Sequence, residues 1–185
     1  VFGARDPESP EAQQLISQIG GNAKIASVQD AIARVEVIAL AIPWGAVPDA
    51  LKSIAPALSG KILIDCTNPA TEFPAIDHSA GSGGEQVARL APNAKVVKAF
   101  NTTGFENMQN PRYGENAVTM FYAGDDPEAK KVVNGLAKDL GVDPIDAGGL
   151  PEAHALEILA SFWGNLAYAQ KMGRGIAFRL MRRST

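Results

Sequence analysis

Arg5 is the only cation in the first twenty residues, and it follows Val1-Phe2-Gly3-Ala4 directly. Val and Phe favour extended backbone. VFG therefore reads as the end of a buried strand running into a loop that carries one guanidinium, a group suited to gripping a phosphate. Few other residues offer chemistry by type and spacing. His78 and His154 lack metal-ligand spacing and read as loop or surface residues, and no metal site is expected. Asp125-Asp126 precedes Pro127 and reads as a helix cap rather than a carboxylate pair. Cys66 ends an apolar run with no basic neighbour, the setting of an inert thiol. Arg179, Arg182 and Arg183 read as a solvated face. Nothing here builds a nucleophilic triad. Chemistry that needs only the orientation of two bound groups fits better.

The elements that must hold these residues follow a βα rhythm. Strand candidates are VFG, AKIAS (23–27, weaker), VEVIALAIP (35–43), KILIDCT (61–67), AKVVKAFNT (94–102), VTMFYAGD (118–125) and DPIDAG (143–148). Several are nearly continuous in Val, Ile, Leu and Ala, as strands covered on both faces are. Helices between them have legible ends. Ser9-Pro10-Glu11 caps one with Leu15, Ile16 and Ile19 as its stripe; Val47, Leu51, Ile54 and Leu58 form a second. Ser82-Gly83-Gly84-Glu85 has capping-box spacing, and Asp126 caps a helix that Gly141 stops. From Glu152 to about residue 172 the pattern is one long helix, apolar nearly all round, so it must be buried by the domain or by a second subunit. The sequence thus predicts a doubly wound, mostly parallel α/β fold: a sheet domain over 1–150 and a helical C-terminal segment over 151–185.

In such a sheet, ligands bind beyond the carboxyl ends of the strands. The loops GARDPES (3–9), AIPWGAV (41–47), DCTNPATEF (65–73) and KAFNTTGFENM (98–108) should therefore edge one crevice. No G-x-G-x-x-G turn is present; AGSGGEQ and DAGGL lack its spacing and its place after a first strand. Arg5 lies about where the second strand of a dinucleotide fold ends, and an arginine there suits a 2'-phosphate. The expectation is that VFG is that second strand and that a first βα unit is missing from this numbering.

With 185 residues, 46% of them hydrophobic, the chain can build one ordinary core. A net charge of −3 gives no basic field, which argues against nucleic acid or an anionic membrane as partner. The single cysteine excludes an internal disulfide, and with no signal peptide a reducing, cytoplasmic setting is expected.

ARDPES, LAIPWGAV, SGGEQ, KAFNTTGFENM, AGDDPEAKKVV, PIDAGGL and MGRGIAFRL, in that order, resemble the NADPH-dependent reductases of the 5-deazaflavin coenzyme F-420. The resemblance runs over essentially the whole chain. It implies a Rossmann-type domain, NADP(H) as cofactor, and direct hydride transfer to the deazaflavin with no side-chain acid. Within it Arg5 matches the guanidinium on the 2'-phosphate, flanked by Ala4 and Ser9. Relatives often carry Ser before that arginine and Lys or Arg after it; here stand Ala4 and Asp6-Pro7-Glu8-Ser9, a thinner clamp. Leu40, Ala41, Ile42, Pro43, Trp44 and Val47 match the segment along the nicotinamide ribose, with Asn68 and Pro69 on the crevice floor. Ala99, Phe100, Asn101 and Thr102 match the segment meeting the two rings, Asn101 and Thr102 orienting them. Met172 and Gly173 match a stretch near the deazaflavin. The long helix implies a homodimer. The alternatives are a reductase of flavin, ferric ion or imine on the same scaffold, and a non-catalytic NADP-binding module.

Overall fold

The computed structural model describes residues 1–70 and 72–183. Thr71, inside the DCTNPATEF loop, and the last two positions of the C-terminal segment, 184–185, lie outside the described residues. Strand β1 (Phe2–Ala4) leads into α1 (Pro10–Ile19), then β2 (Ile25–Ser27), which pairs with β1 in parallel. A short α2 (Val28–Ala33), capped by Ser27, turns into β3 (Val37–Leu40). There follow α3 (Val47–Ile54), β4 (Ile62–Asp65), α4 (Gly83–Leu90) and β5 (Lys95–Ala99). A one-turn α5 (Glu106–Gln109) and a two-residue hairpin, β6 (Arg112–Tyr113) and β7 (Asn116–Ala117), lead to β8 (Thr119–Gly124). The chain closes with α6 (Pro127–Asp139), β9 (Asp143–Asp146) and α7 (Ala153–Gly164).

The main sheet has the order β3-β4-β5-β8-β9, parallel except where β8 runs against β5. β1 and β2 form their own parallel pair and share no backbone hydrogen bond with the main sheet among the described residues. The fold is the doubly wound, Rossmann-type α/β arrangement that the alternating pattern predicts.

Period-two alternation sorts the strands onto two faces. Leu40, Leu63 and Val96 meet Val47, Leu51, Leu58, Val87 and Ala153 on one side. Ile64, Val97, Ala99 and Tyr122 meet Ala129 and Val133 of α6 on the other. β4, β5 and β8 are largely buried on both faces, which is why they read as apolar runs, whereas Val37 and Ile38 of β3 are half-buried and Ala39 is exposed.

The caps at Ser9, Ser82 and Asp126 form as their sequences predict. Ser82 and Glu85 make a reciprocal capping box, and Asp126 Oδ1 accepts from Ala129 N at 2.8 Å. The single long helix expected to about residue 172 is a difference. The α-helix stops at Gly164 and continues only as a π turn over Asn165–Ala169. At Gly164 a Cβ would come within 2.3 Å of the Phe73 ring, so glycine lets the 73–74 loop cross the helix. Beyond it the chain lies along the sheet as an extended strap, with Thr119 N donating to Phe178 O at 3.0 Å. No helix among the described residues is long and apolar enough to cross a membrane.

Candidate functional site

The C-terminal ends of β3, β4 and β5 point the same way, and three of the four loops expected at a crevice edge leave from them; the fourth, GARDPES, leaves β1. Arg5, one residue past β1, is exposed and has no ionic partner among the described residues. An open depression of about 450 Å³ is lined by Ala4, Arg5, Asp6, Ser9 and Ala12 at the start of α1. Ser9 Oγ accepts from Ala12 N at 3.3 Å, so its capping role is formed. A guanidinium beside a helix N-terminus can hold an anion.

After β3, Pro43 turns the chain into a short 3₁₀ turn (Trp44–Ala46). Leu40 is buried at the strand end; Ala41 and Pro43 are exposed, and Ile42 and Trp44 are half-buried against the core. Val47, Pro69 and Ala99, expected to touch a ligand, present almost no surface. Val47 packs into the cluster on one face of the sheet and Ala99 into the cluster on the other.

The segment after β5 carries the sharpest feature. Phe100 has φ 61°, a left-handed conformation that a bulky residue adopts only at a cost of roughly 1–3 kcal/mol. It turns the chain so that Asn101 meets Asn68. Asn68 Nδ2 donates to the Asn101 backbone oxygen at 3.2 Å, and Asn101 Nδ2 donates to Asn68 Oδ1 at 2.9 Å. A carbonyl can only accept, so it fixes the orientation of the Asn68 amide, and that in turn fixes Asn101. The leftover atom is Asn101 Oδ1, buried and without a hydrogen-bond partner among the described residues. An unpaired buried acceptor is rare. It can receive one N–H or O–H donor from a bound molecule. Thr102 beside it is buried, its hydroxyl directed at Met120 Sδ at 3.9 Å.

Met172 and Gly173 do not enter the sheet-end cluster directly. They are exposed, at the turn where the strap begins. The strap is nevertheless carried to the loop after Thr102. Arg174 pairs with Glu106 (Nε–Oε1 2.5 Å), bonds to the Tyr168 hydroxyl, and lies over the Phe105 ring, while Asn107 Nδ2 donates to the backbone oxygens of Arg174 and Ile176. Glu106 sits well below the usual carboxylate range because of its bond to Arg174.

Sequence reasoning missed a buried ionic network under this site. Asp65, Lys98 and Glu157 are each wholly buried. Lys98 Nζ donates to Asp65 Oδ2 at 3.0 Å, to Glu157 Oε1 at 2.9 Å and to the Thr67 backbone oxygen at 2.5 Å. Glu157 also accepts from Gly83 N, Gly84 N and His78 Nε2. His78 is thus not a free loop residue; it is bonded to a buried carboxylate at 2.8 Å and its ring lies 4.1 Å from that of His154. The available signals were a charge ending each of two apolar strands, a glutamate inside an apolar helix, and the Gly-Gly pair after Ser82. A Cβ on Gly84 would come within 2.7 Å of Ala153, so small residues are needed to bring the α4 N-terminus to Glu157. Cys66 behaves as expected: burial and the Asp65 carboxylate push its thiol up to about 12.

Comparison with known proteins places this architecture. The sequence profile of the family described as "NADP oxidoreductase coenzyme F420-dependent" matches residues 1–69. Over 160 residues the chain is 36% identical to the metalloreductase STEAP3 of Rattus norvegicus, a match covering 86% of this chain but only 31% of that protein. It is 29% identical over 180 residues to the F420-dependent NADP reductase of Methanothermobacter marburgensis, covering 90% and 80% of the two chains. A solved structure from Arthrobacter sp. FB24, provisionally named an F420-dependent NADP-reductase, superposes with a TM-score of 0.83 at 32% identity, over 97% of this chain and 87% of the other. With the fold and sequence shared over nearly the full length of both chains, this chain belongs to the coenzyme F420-dependent NADP oxidoreductase family of enzymes.

Proposed function

We propose that the chain binds NADP(H) across the C-terminal ends of β1, β3, β4 and β5 and passes a hydride between it and a 5-deazaflavin coenzyme. The observation that carries this reading is Asn101 Oδ1, the buried acceptor with no partner among the described residues. A nicotinamide carboxamide supplies the N–H donor that this atom lacks. The exposed Arg5 guanidinium and the depression beside it suit a 2'-phosphate at the other end of the dinucleotide.

When bound, the nicotinamide supplies a transferable hydride at C4, and the deazaflavin accepts it at C5. The protein's part is orientation. Asn101 and Asn68 hold the carboxamide edge by neutral amides that exchange no proton. Phe100 and Thr102 set the loop that places Asn101. Holding two reactants aligned contributes roughly 7–11 kcal/mol to a rate enhancement without any side-chain acid.

Titration of the full chain with NADPH and NADH, followed by turnover with the deazaflavin, tests the reading. Arg5→Gln should weaken NADPH roughly tenfold or more, the size of a lost charge-assisted hydrogen bond, and leave NADH unchanged. Equal loss for both nucleotides would remove Arg5 from the phosphate. The metalloreductase relative motivates a second reading, with ferric ion as the acceptor. Ferric reduction without NADPH-dependent bleaching of the deazaflavin would favour it.

A further inference from the structure

Three ionic side chains with no exposure need a reason to be there. Replacing a buried ion pair with well-packed apolar residues is often neutral or stabilising, so stability alone does not call for Asp65, Lys98 and Glu157. What charges provide that apolar groups do not is direction. All three ammonium protons of Lys98 are used, and each points to a different piece of the chain: β4 through Asp65, the loop after β4 through the Thr67 carbonyl, and α7 through Glu157. Asp65 Oδ1 grips the same loop a second time, accepting from Thr67 N at 2.9 Å and Thr67 Oγ1 at 2.6 Å.

The register explains why this matters. Asp65 and Lys98 are cross-strand partners at the ends of β4 and β5, on the face that carries Leu63 and Val96. One residue beyond Thr67 is Asn68, and three beyond Lys98 is Asn101. The two loops are therefore tied twice, by the ammonium just below and by the paired amides just above. Slippage of either loop would break the amide pair and let Asn101 rotate its oxygen away. Glu157 holds the ammonium from behind and is itself fixed by Gly83 N at 3.0 Å, Gly84 N at 3.1 Å and His78 Nε2 at 2.8 Å.

We infer that Lys98, clamped between Asp65 and Glu157, is a positioning residue for nicotinamide recognition: through the Thr67 carbonyl it holds the Asn68–Asn101 pair so that Asn101 Oδ1 faces the carboxamide N–H. This rests on the proposed placement of NADP(H) in the crevice. It assigns the specificity for a carboxamide donor to a residue that touches no part of the dinucleotide.

The experiment measures dissociation constants on the full chain for NADP⁺, its 3-acetylpyridine analogue and 2',5'-ADP. The analogue keeps the ring carbonyl but has no N–H, and 2',5'-ADP reports the adenosine end alone. The unaltered chain should prefer NADP⁺ over the analogue by about tenfold, the worth of one hydrogen bond to a buried acceptor. Lys98→Met should reduce that preference to within about twofold while 2',5'-ADP binds as before. Should Lys98→Met fail to fold, Asp65→Asn serves: it keeps the shape but sets an amide N–H against the ammonium, and the preference should fall at least threefold.

A folded variant that keeps the full preference overturns the inference. So does one that loses 2',5'-ADP in step with NADP⁺, since that is general damage. Those results leave the placement of the dinucleotide standing. Failure of the unaltered chain to bind 2',5'-ADP, or to distinguish the two nicotinamide compounds, instead overturns the placement itself.

Discussion

Replacing Asn101 by alanine separates a residue kept for a ligand from one kept for the fold. In the free chain its Oδ1 is buried without a partner, a penalty of about 1–3 kcal/mol that the substitution removes. Its amide N–H bond to Asn68, at 2.9 Å, contributes about 0.5–1.5 kcal/mol, which the substitution loses. Asn68 is half-exposed, so water can take over the freed oxygen. These opposing amounts nearly cancel, and the predicted change in stability is within about 1 kcal/mol, a shift of roughly 2–4 °C in a chain of this size. Binding should not cancel. Losing the acceptor for the carboxamide N–H weakens NADPH by roughly tenfold or more, and turnover falls without any new pH dependence. Urea denaturation gives the first quantity, and fluorescence titration and a pH–rate profile give the others. Destabilisation beyond about 2 kcal/mol with unchanged NADPH affinity would refute the reasoning, because Asn101 would then be a structural residue. A bell-shaped profile lost in the variant would make it part of a proton relay instead.

Glu157→Ala should behave oppositely. It leaves Lys98 paired with Asp65 but takes away its second carboxylate and leaves two helix N–H groups without an acceptor in a buried setting, so a loss of roughly 2–6 kcal/mol, about 1–3 for each N–H, is expected in urea denaturation; a loss below about 1 kcal/mol would show that the network does not hold α7 to the sheet. Acid should weaken the fold through the carboxylates held below their ordinary range: Glu85 by the Ser82 hydroxyl and N–H, Asp126 by the Ala129 N–H, and Glu106 by Arg174. As pH falls through the unfolded values of 4.5 for Glu and 3.8 for Asp, the unfolded chain takes up protons before the native one does. Their stabilisation is therefore complete above that range and lost below it, and a urea midpoint that stays flat from pH 6 to 3 would contradict the assignment.

What was legible in the sequence had local causes. Strands at 62–65 and 95–99 show in their Val and Ile runs, and the caps at Ser9, Ser82 and Asp126 show because a cap needs only a side chain three residues before its N–H. The six-residue α2 and the β6–β7 hairpin are too short to declare a period. Arg5 and Asn101 stand out because each lies within two residues of a strand end. Lys98, Asp65 and Glu157 do not, since they meet only when two strands and a distant helix pack; Lys98 and Asp65 alone are 33 residues apart. Taken singly, Lys98 looks like the polar end of β5 and Glu157 like a break in an apolar helix. The burial of Val47 and Ala99 is legible through two different periods: Val47 opens the apolar stripe of α3 and Ala99 shares a strand face with Val97, so both side chains turn into the core.

The division of labour in this site follows from electrostatics. An ionised group beside a redox ring would favour one charge state of that ring over another, and a titrating group would exchange protons with it. The residues nearest the proposed ring are instead two amides, which orient by hydrogen bonds and carry no net charge. Amides on loops are easily displaced, so they need a rigid support, and the charges serve as that support one layer down. There, Lys98 faces Asp65 and Glu157 at 3.0 and 2.9 Å, and the N-terminus of α4 helps to offset the second carboxylate. The strained Phe100 backbone belongs to the same arrangement. Its conformation persists because the ammonium fixes the chain before it and the amide pair fixes the chain after it, so loosening either clamp should let that turn relax and carry Asn101 away from the crevice.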